Sequence, residues 1–254
     1  MVYSLKKSGF AQTYVIAGRN GLVVVDVGSI GSAEDVKKYI TDTPGMELKD
    51  IQYIIATHFH IDHIGGIGHL LGKCPPTTKV LFNYLVEDYL NGKKKLSLIK
   101  NWFVGLMPAS LASTRYISKF SHLQFESFAG IPLPGFRNNV NLPYKQAKIG
   151  YFGCEGVERC SLGFDEWEVL ATPGHTEDSV SFYNDATREL ICGDLILNVK
   201  KEGRGSLNRF YWSGKLLMDS YNRLCNTIKP QTIYPGHGEI IKGDENVLLG
   251  VEIF

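Results

Sequence analysis

Hydrophobic and polar positions alternate along this chain in two patterns. Short apolar runs that end in turn residues predict strands at 13–17, 21–27, 51–56 and 78–82, and again at 167–171, 180–183, 190–197 and 232–234. Between them, apolar residues recur at helical spacing after Ser32, which we expect to be an N-cap, near 64–72, near 83–90, and over 214–229 before Pro230. The patterning predicts a mixed α/β fold.

The two halves of the chain end some of these strands in a similar way. The sequence IIATH at 54–58 is echoed by VLATPGH at 169–175, and each segment runs from an apolar strand into a histidine. The echo is weak by itself. It suggests two similar halves that deliver ligands from strand ends to one shared edge.

The most informative segment is His58-x-His60-x-Asp62-His63, directly after the apolar run 51–56. Residues i and i+2 of an extended segment point the same way, so His58 and His60 can bind one metal ion. After the chain turns, Asp62 and His63 can reach a second ion. A single buried histidine is usually an ordinary core residue, but three histidines and an aspartate within six positions favour a metal site.

Three further candidate ligands follow later strands, namely His175, Asp194 and His237. Imidazole and carboxylate groups suit Zn²⁺, and at some sites Fe or Mn. The sequence therefore predicts a metal centre that needs no cysteine.

In this order, Val25-Asp26-Val27-Gly28, the H-x-H-x-D-H segment, His175, Asp194 and His237 resemble the five motifs of the metallo-β-lactamase superfamily over residues 10–240. The resemblance implies one domain over 1–254 with a four-layered αβ/βα sandwich. It places His58, His60 and His175 on a first divalent ion, and Asp62, His63 and His237 on a second. Asp194 would bridge the two ions, and Asp26 would orient the site loops. Zinc is the expected metal, with Fe or Mn as alternatives.

Two bridged ions imply a metal-bound hydroxide and a hydrolase, in which Asp62 and Asp194 are the candidate catalytic residues. The sequences TPGHT at 172–176, ICGD at 191–194 and YPGHG at 234–238 resemble those of the glyoxalase II and lactonase side of the superfamily. This resemblance implies an ester, thioester or lactone of a small, partly apolar substrate. Asp194 argues against a true β-lactamase, since those enzymes lack this carboxylate.

The chain also departs from both of these enzyme types. Only 17 residues follow His237, so we expect no counterpart of the glutathione-contacting extension of glyoxalase II, and Leu195 stands where lactonases often have tyrosine. Three alternatives stay open: a phosphodiesterase or nuclease, a mononuclear iron persulfide dioxygenase, and a non-catalytic scaffold.

Charge and composition limit the partners. Lys and Arg total 27 against 26 Asp and Glu, and a net charge of +1 gives no reason to expect nucleic acid as a partner. The expected partner is a small-molecule substrate. No apolar run reaches the length of a spanning helix, and the first residues lack a signal peptide, so we expect a cytoplasmic protein without a membrane contact. Five scattered cysteines are expected to be free thiols.

The segment at about 91–163 lies in the long gap between His63 and His175, and we interpret it as an insertion. Its aromatic and aliphatic residues, among them Trp102 and Phe103, are too apolar for a solvated linker. The segment is predicted to be a lid beside the metal site, with a helical pair at a homodimer contact as the alternative.

Overall fold

The computed structural model describes residues 1–5, 7–99, 111–153, 155–199 and 203–253. Part of the predicted insertion therefore lies outside the described residues, including its apolar residues Trp102, Phe103, Val104, Leu106 and Met107.

The first of two large sheets contains the strands of the N-terminal half, in chain order. These are β1 (Val2–Leu5), β2 (Thr13–Gly18), β3 (Gly21–Val25), β4 (Ile51–Ile55), β5 (Lys79–Asn83) and β6 (Ile149–Phe152). Strands β1 to β3 are antiparallel, whereas β3 to β6 are parallel. The carboxyl ends of β3 and β4 therefore lie at the same edge of the sheet.

The second large sheet also has six strands. Its strands are β7 (Arg159–Ser161), β8 (Trp167–Ala171), β9 (Val180–Asn184), β10 (Glu189–Gly193), β13 (Thr232–Pro235) and β14 (Ile241–Lys242). Their order is β14-β13-β10-β9-β8-β7. Two short strands, β11 (Ile196–Leu197) and β12 (Ser206–Leu207), form a separate hairpin. Since β9 is antiparallel to both β8 and β10, and β13 is parallel to β10, strands β8, β10 and β13 run in one direction.

Helices cover the outer faces of the two sheets. They are α1 (Ile30–Asp42), α2 (Ile61–Ile64), α3 (Ile67–Leu71), α4 (Leu85–Leu90) and α5 (Gly214–Thr227). Along β3, Val23 and Val25 belong to the core between the sheets, whereas Val24 packs in the helix-covered core with Val36 of α1. The second sheet packs its outer face against α5. The layers are helix, sheet, sheet and helix, which confirms the predicted four-layered sandwich.

Three local predictions need correction. The cap of α1 is Ser29, whose hydroxyl accepts a hydrogen bond from Ser32 N at 3.0 Å, so Ser32 lies inside the helix. The predicted helix near 64–72 is split into α2 and α3 at Gly65 and Gly66. The predicted strand 190–197 breaks into β10 and β11 around Asp194, because the chain turns there to direct this side chain into the site.

The cysteines and the helices bear on two further predictions. Cys74, Cys192 and Cys225 carry free thiols, and Cys154 lies outside the described residues. Within the described ranges, no helix has both the length and the apolar character needed to cross a bilayer.

Candidate metal centre

All seven predicted ligands follow the carboxyl ends of strands. His58, His60, Asp62 and His63 come after β4, and the other three follow β8, β10 and β13 as His175, Asp194 and His237. Strands that run in one direction deliver the residues after them to one edge of a sheet. The two sheets pack with these edges together, so the structure brings the seven side chains into one cluster.

The first group of side chains contains His58, His60 and His175. Nδ1 of His60 lies 3.0 Å from His58 Nε2 and 3.1 Å from His175 Nε2. All three rings are buried. The nitrogen atoms converge on one point, as ligands of a metal ion would.

The second group contains Asp62, His63 and His237, and Asp194 lies between the two groups. Oδ2 of Asp194 is 3.5 Å from His175 Nε2 and 3.3 Å from His237 Nε2, while its Oδ1 is 3.4 Å from His63 Nε2. His237 Nε2 is also 3.3 Å from Asp62 Oδ2. One carboxylate therefore contacts both groups, which is the position required of a bridging ligand.

Hydrogen bonds on the far side of the rings orient three of the histidines directly. His63 Nδ1 lies 2.9 Å from Asp26 Oδ2, His175 Nδ1 lies 2.6 Å from Phe210 O, and His237 Nδ1 lies 2.8 Å from Phe10 O. These oxygens can only accept, so each Nδ1 carries the hydrogen. In the neutral ring Nε2 is then left with a lone pair, and it is the Nε2 atoms that face the centre.

His58 is oriented by a two-step chain of hydrogen bonds. Thr57 Oγ1 donates to Asp26 Oδ2 at 2.8 Å, so it can only accept from His58 Nδ1, which lies 3.1 Å away. The Nε2 atom of His58 therefore carries a lone pair and faces the centre. Asp26 also accepts from Thr57 N at 2.8 Å, so this buried carboxylate orients both ends of the motif, which agrees with the role that the resemblance implied for Asp26.

The charges around the cluster favour a cation. Burial, together with neighbouring rings, lowers the pKa of His58 and of His60 well below the usual value, so these rings are neutral. Burial also disfavours charge on His237, but the carboxylates of Asp194 and Asp62 outweigh it and raise the pKa of His237 to about 10. The carboxylates thus hold positive charge at the centre of the cluster.

Two buried atoms at the centre test whether the site fits metal ions. Nε2 of His63 and Oδ1 of Asp194 have no hydrogen-bond partner among the described residues. Buried polar atoms are rarely left unpaired, since each costs about 1–3 kcal/mol. Metal ions would satisfy both atoms, so the donor set fits a two-ion centre.

The cluster opens onto a cavity of about 300 Å³. Its floor is formed by ligand side chains, and two uncharged polar residues, Ser113 and Asn208, add to it. The rest of the lining is apolar, and is made by Phe10, Ile61, Phe125, Ile131, Pro132, Leu133, Leu197 and Phe210. None of the described lining residues is Lys or Arg.

Some residues of the site were not identified from the sequence. The carbonyls of Phe10 and Phe210 orient histidines, but a backbone oxygen has no sequence signature. Asn208 donates to Asp194 O at 3.0 Å and accepts from Phe210 N at 2.9 Å, which holds the loop after β12 beside the ligands. Asp178 accepts from Phe59 N at 2.8 Å and so fixes the backbone between His58 and His60.

The family model of the metallo-beta-lactamase superfamily matches residues 8–81 and 114–237, which is most of the chain. The chain belongs to the metallo-beta-lactamase superfamily. All seven candidate ligands lie within the matched residues of this superfamily member. The predicted family and fold are confirmed, and the structure adds the His/Asp cluster expected of a metal-binding hydrolase of this superfamily.

Three similar proteins refine the comparison. A probable metallo-hydrolase of Methanocaldococcus jannaschii is 24% identical over 260 residues, covering 100% of both chains. A hydroxyacylglutathione hydrolase of Francisella tularensis subsp. novicida is 35% identical, but only over 81 residues, or 30% of this chain and 29% of that protein. A solved chemotaxis sensor, described as a peroxy diiron species, aligns with a TM-score of 0.60 at 15% identity and covers 98% of this chain and 88% of that one.

These relatives support a metallo-hydrolase without naming its substrate. The glyoxalase II side of the superfamily is weakly supported, by short stretches shared with hydroxyacylglutathione hydrolases. At 15% identity the solved structure supports the fold alone.

Proposed function

We propose that this protein is a dinuclear metal-dependent hydrolase that cleaves a small, partly apolar carboxylic acid derivative, namely an ester, a thioester or a lactone. The observation that carries the proposal is the opening of the seven-residue ligand cluster onto a cavity whose other described lining residues are apolar or uncharged. A carbonyl carbon placed over the cluster would have apolar side chains around its substituents.

The ligand assignment follows from the two groups and the carboxylate between them. His58, His60 and His175 would hold one ion, Asp62, His63 and His237 the other, and Asp194 both. Bound divalent ions would supply an acidified water and polarise the substrate carbonyl. The metal is proposed to be zinc, and iron is the first alternative to test, given the diiron state of the solved neighbour.

The chain's own side chains supply the remaining chemistry. Asp62 lines the cavity and keeps 28% of its side chain exposed, so its carboxylate is placed to accept a proton from the attacking water. Asp194 is almost fully buried and holds the two groups together. The apolar lining excludes bulk water, which strengthens each of these electrostatic interactions.

The alternatives predict different linings or different metal contents. A phosphodiesterase that binds a phosphate anion would benefit from a Lys or Arg side chain, and the described lining has neither. A mononuclear persulfide dioxygenase needs only part of the cluster, so one tightly bound iron per chain would favour it. The shared stretch with a hydroxyacylglutathione hydrolase keeps glutathione thioesters among the substrates to test.

The proposal is tested by hydrolysis of a substrate panel after loading with zinc, iron or manganese in separate samples. The panel contains p-nitrophenyl esters, lactones, glutathione thioesters, bis-p-nitrophenyl phosphate and glutathione persulfide. Metal-dependent hydrolysis of the carboxylic substrates, at least about tenfold faster than that of the phosphodiester, is expected. Turnover of the phosphodiester or the persulfide alone would contradict the proposal.

A further inference from the structure

Part of the predicted insertion forms one wall of the cavity. Phe125, Ile131, Pro132 and Leu133 all lie between the second and third sequence motifs, and all line the cavity above the ligands. None of these four residues belongs to the hydrophobic clusters that pack the sheets and helices. Their contribution is to the shape of the site.

Backbone hydrogen bonds at the two ends of α2 join this wall to the metal-binding motif. Glu126 N donates to Gly65 O at 2.9 Å, and Ile61 N donates to Gly130 O at 3.1 Å. The two contacts lie on either side of Asp62 and His63. The wall is therefore held in register with the ligands themselves.

Two glycines allow this close approach. A Cβ at Gly65 would lie 2.6 Å from the ring of Phe125, and one at Gly130 would lie 2.6 Å from Phe59 O. Gly130 also has a positive φ of 79°, which other residues rarely adopt. The H-x-H-x-D-H motif and the insertion are therefore shaped to contact one another.

We propose that this segment, defined as the acyl wall by Phe125, Ile131, Pro132 and Leu133, binds an apolar acyl group of the substrate. The inference rests on the proposed function, since the wall adjoins the same ligand cluster. The carboxyl carbon of a substrate has to lie beside that cluster, so the chain attached to it can lie against the adjoining wall. A cavity of about 300 Å³ accommodates a medium-length chain or one ring.

The test measures binding, so that it does not depend on turnover. Zinc-loaded protein is titrated calorimetrically with straight-chain carboxylates from acetate to decanoate. Binding is expected to tighten about two- to fourfold per methylene until the cavity is full. Phe125→Ala and Ile131→Ala should reduce this increment, and Phe128→Ala is the matched control, because Phe128 lies in the same segment but is 64% exposed.

The outcomes separate this inference from the proposed function. Affinity that does not change with chain length in the wild type would overturn the acyl wall, whatever the ester assays show. An unchanged increment in both Phe125→Ala and Ile131→Ala, with intact folding and metal content, would overturn it as well. A chain-length increment that depends on these two residues, in a protein that hydrolyses no carboxylic substrate, would support the acyl wall and remove the hydrolase proposal.

Discussion

His63 donates a hydrogen bond from Nδ1 to Asp26 Oδ2 over 2.9 Å, and both side chains are buried, with exposed fractions of 0% and 1%. Asp26 follows β3 and His63 follows β4, so the bond joins the ends of two neighbouring parallel strands. It turns the opposite nitrogen of His63 toward Asp62 and Asp194. The orientation of a candidate ligand is therefore set by a residue that does not contact the centre.

The first prediction concerns this bond. Asp26→Asn replaces an accepting oxygen by an amide that cannot accept from both Thr57 and His63, so the His63 ring should lose its fixed orientation. We expect the affinity for the second ion to fall by about 10- to 100-fold. Competition with a chromophoric chelator measures it.

Asp165→Asn is the matched control for this substitution. Asp165 also has a positive φ, of 45° against 56° for Asp26, and accepts a hydrogen bond from the backbone of Arg19. It is remote from the ligands, so its substitution should leave both affinities unchanged. Wild-type affinity for both ions in Asp26→Asn would show that the bond does not position the ligand.

The second prediction is the metal stoichiometry. Two groups of ligands joined by one carboxylate should hold two ions per chain, whereas a single tetrahedral site needs only three or four ligands. Chelation should abolish hydrolysis, and adding back zinc, iron or manganese should restore it. Elemental analysis after loading is the measurement. One ion per chain in the presence of excess metal would remove the dinuclear assignment.

The third prediction concerns Asp194, the carboxylate that contacts both groups. Asp194→Ala should weaken binding of both ions and lower kcat/KM by at least about 100-fold, because neither group is complete without it. The fold should survive, since Asp194 lies in a turn between β10 and β11. Asp219→Ala, at an exposed position of α5, is the control. Near-normal turnover with both ions bound would exclude a bridging role.

The seven candidate ligands could be predicted from sequence because their signal is local. Each follows an apolar run of strand length, whereas the four layers of the sandwich were expected from the resemblance to the superfamily, since a strand such as β3 is apolar and buried along most of its length. The cap of α1 could not be predicted with the same certainty, since Ser29 and Ser32 are both suitable. Their hydroxyls lie 2.8 Å apart, and only the backbone contact identifies Ser29 as the cap.

Other features depend on contacts between distant parts of the chain. The edge strand β1 was missed because its alternation is short and only partly buried. Asp178 and Glu177 are adjacent acidic residues in one turn, and nothing in the sequence shows that Asp178 is the buried one. The carbonyls of Phe10 and Phe210 become visible as histidine partners only once the fold is known.

The fourth prediction concerns Asp178 and pH. Burial raises the pKa of its carboxyl from 3.8 to about 6, so between these values the folded state binds more protons than the unfolded state. Stability attributed to this group therefore falls as pH rises from about 4 to 6, by up to about 3 kcal/mol, and stays lower above that range. Asp178→Asn should remove this slope in metal-free protein.

Urea unfolding at pH 4, 5, 6 and 7 in the presence of a chelator measures the effect. The unfolding free energy of Asp178→Asn, relative to that of the wild type, should increase as pH rises. Bound metal ions nearby would stabilise the ionised carboxylate and reduce the difference. A difference that stays constant across this range would show that Asp178 titrates normally.

The last prediction concerns Ser113, the only hydroxyl among the described residues that line the cavity. Its Oγ lies 3.3 Å from His237 Nδ1, but that nitrogen already donates its hydrogen to Phe10 O at 2.8 Å. Ser113 can therefore at most share this hydrogen as a second acceptor. Its own proton has no acceptor among the described residues and is available to a substrate oxygen in the cavity.

Ser113→Ala should lower kcat about tenfold, the value of one hydrogen bond, with little change in KM or metal content. Ser113→Thr should restore most of the loss because it keeps the hydroxyl, and Ser121→Ala, in the same insertion but outside the cavity, should have no effect. Steady-state kinetics on a p-nitrophenyl ester measure all three variants. Full kcat in Ser113→Ala would show that the hydroxyl only fills space beside His237.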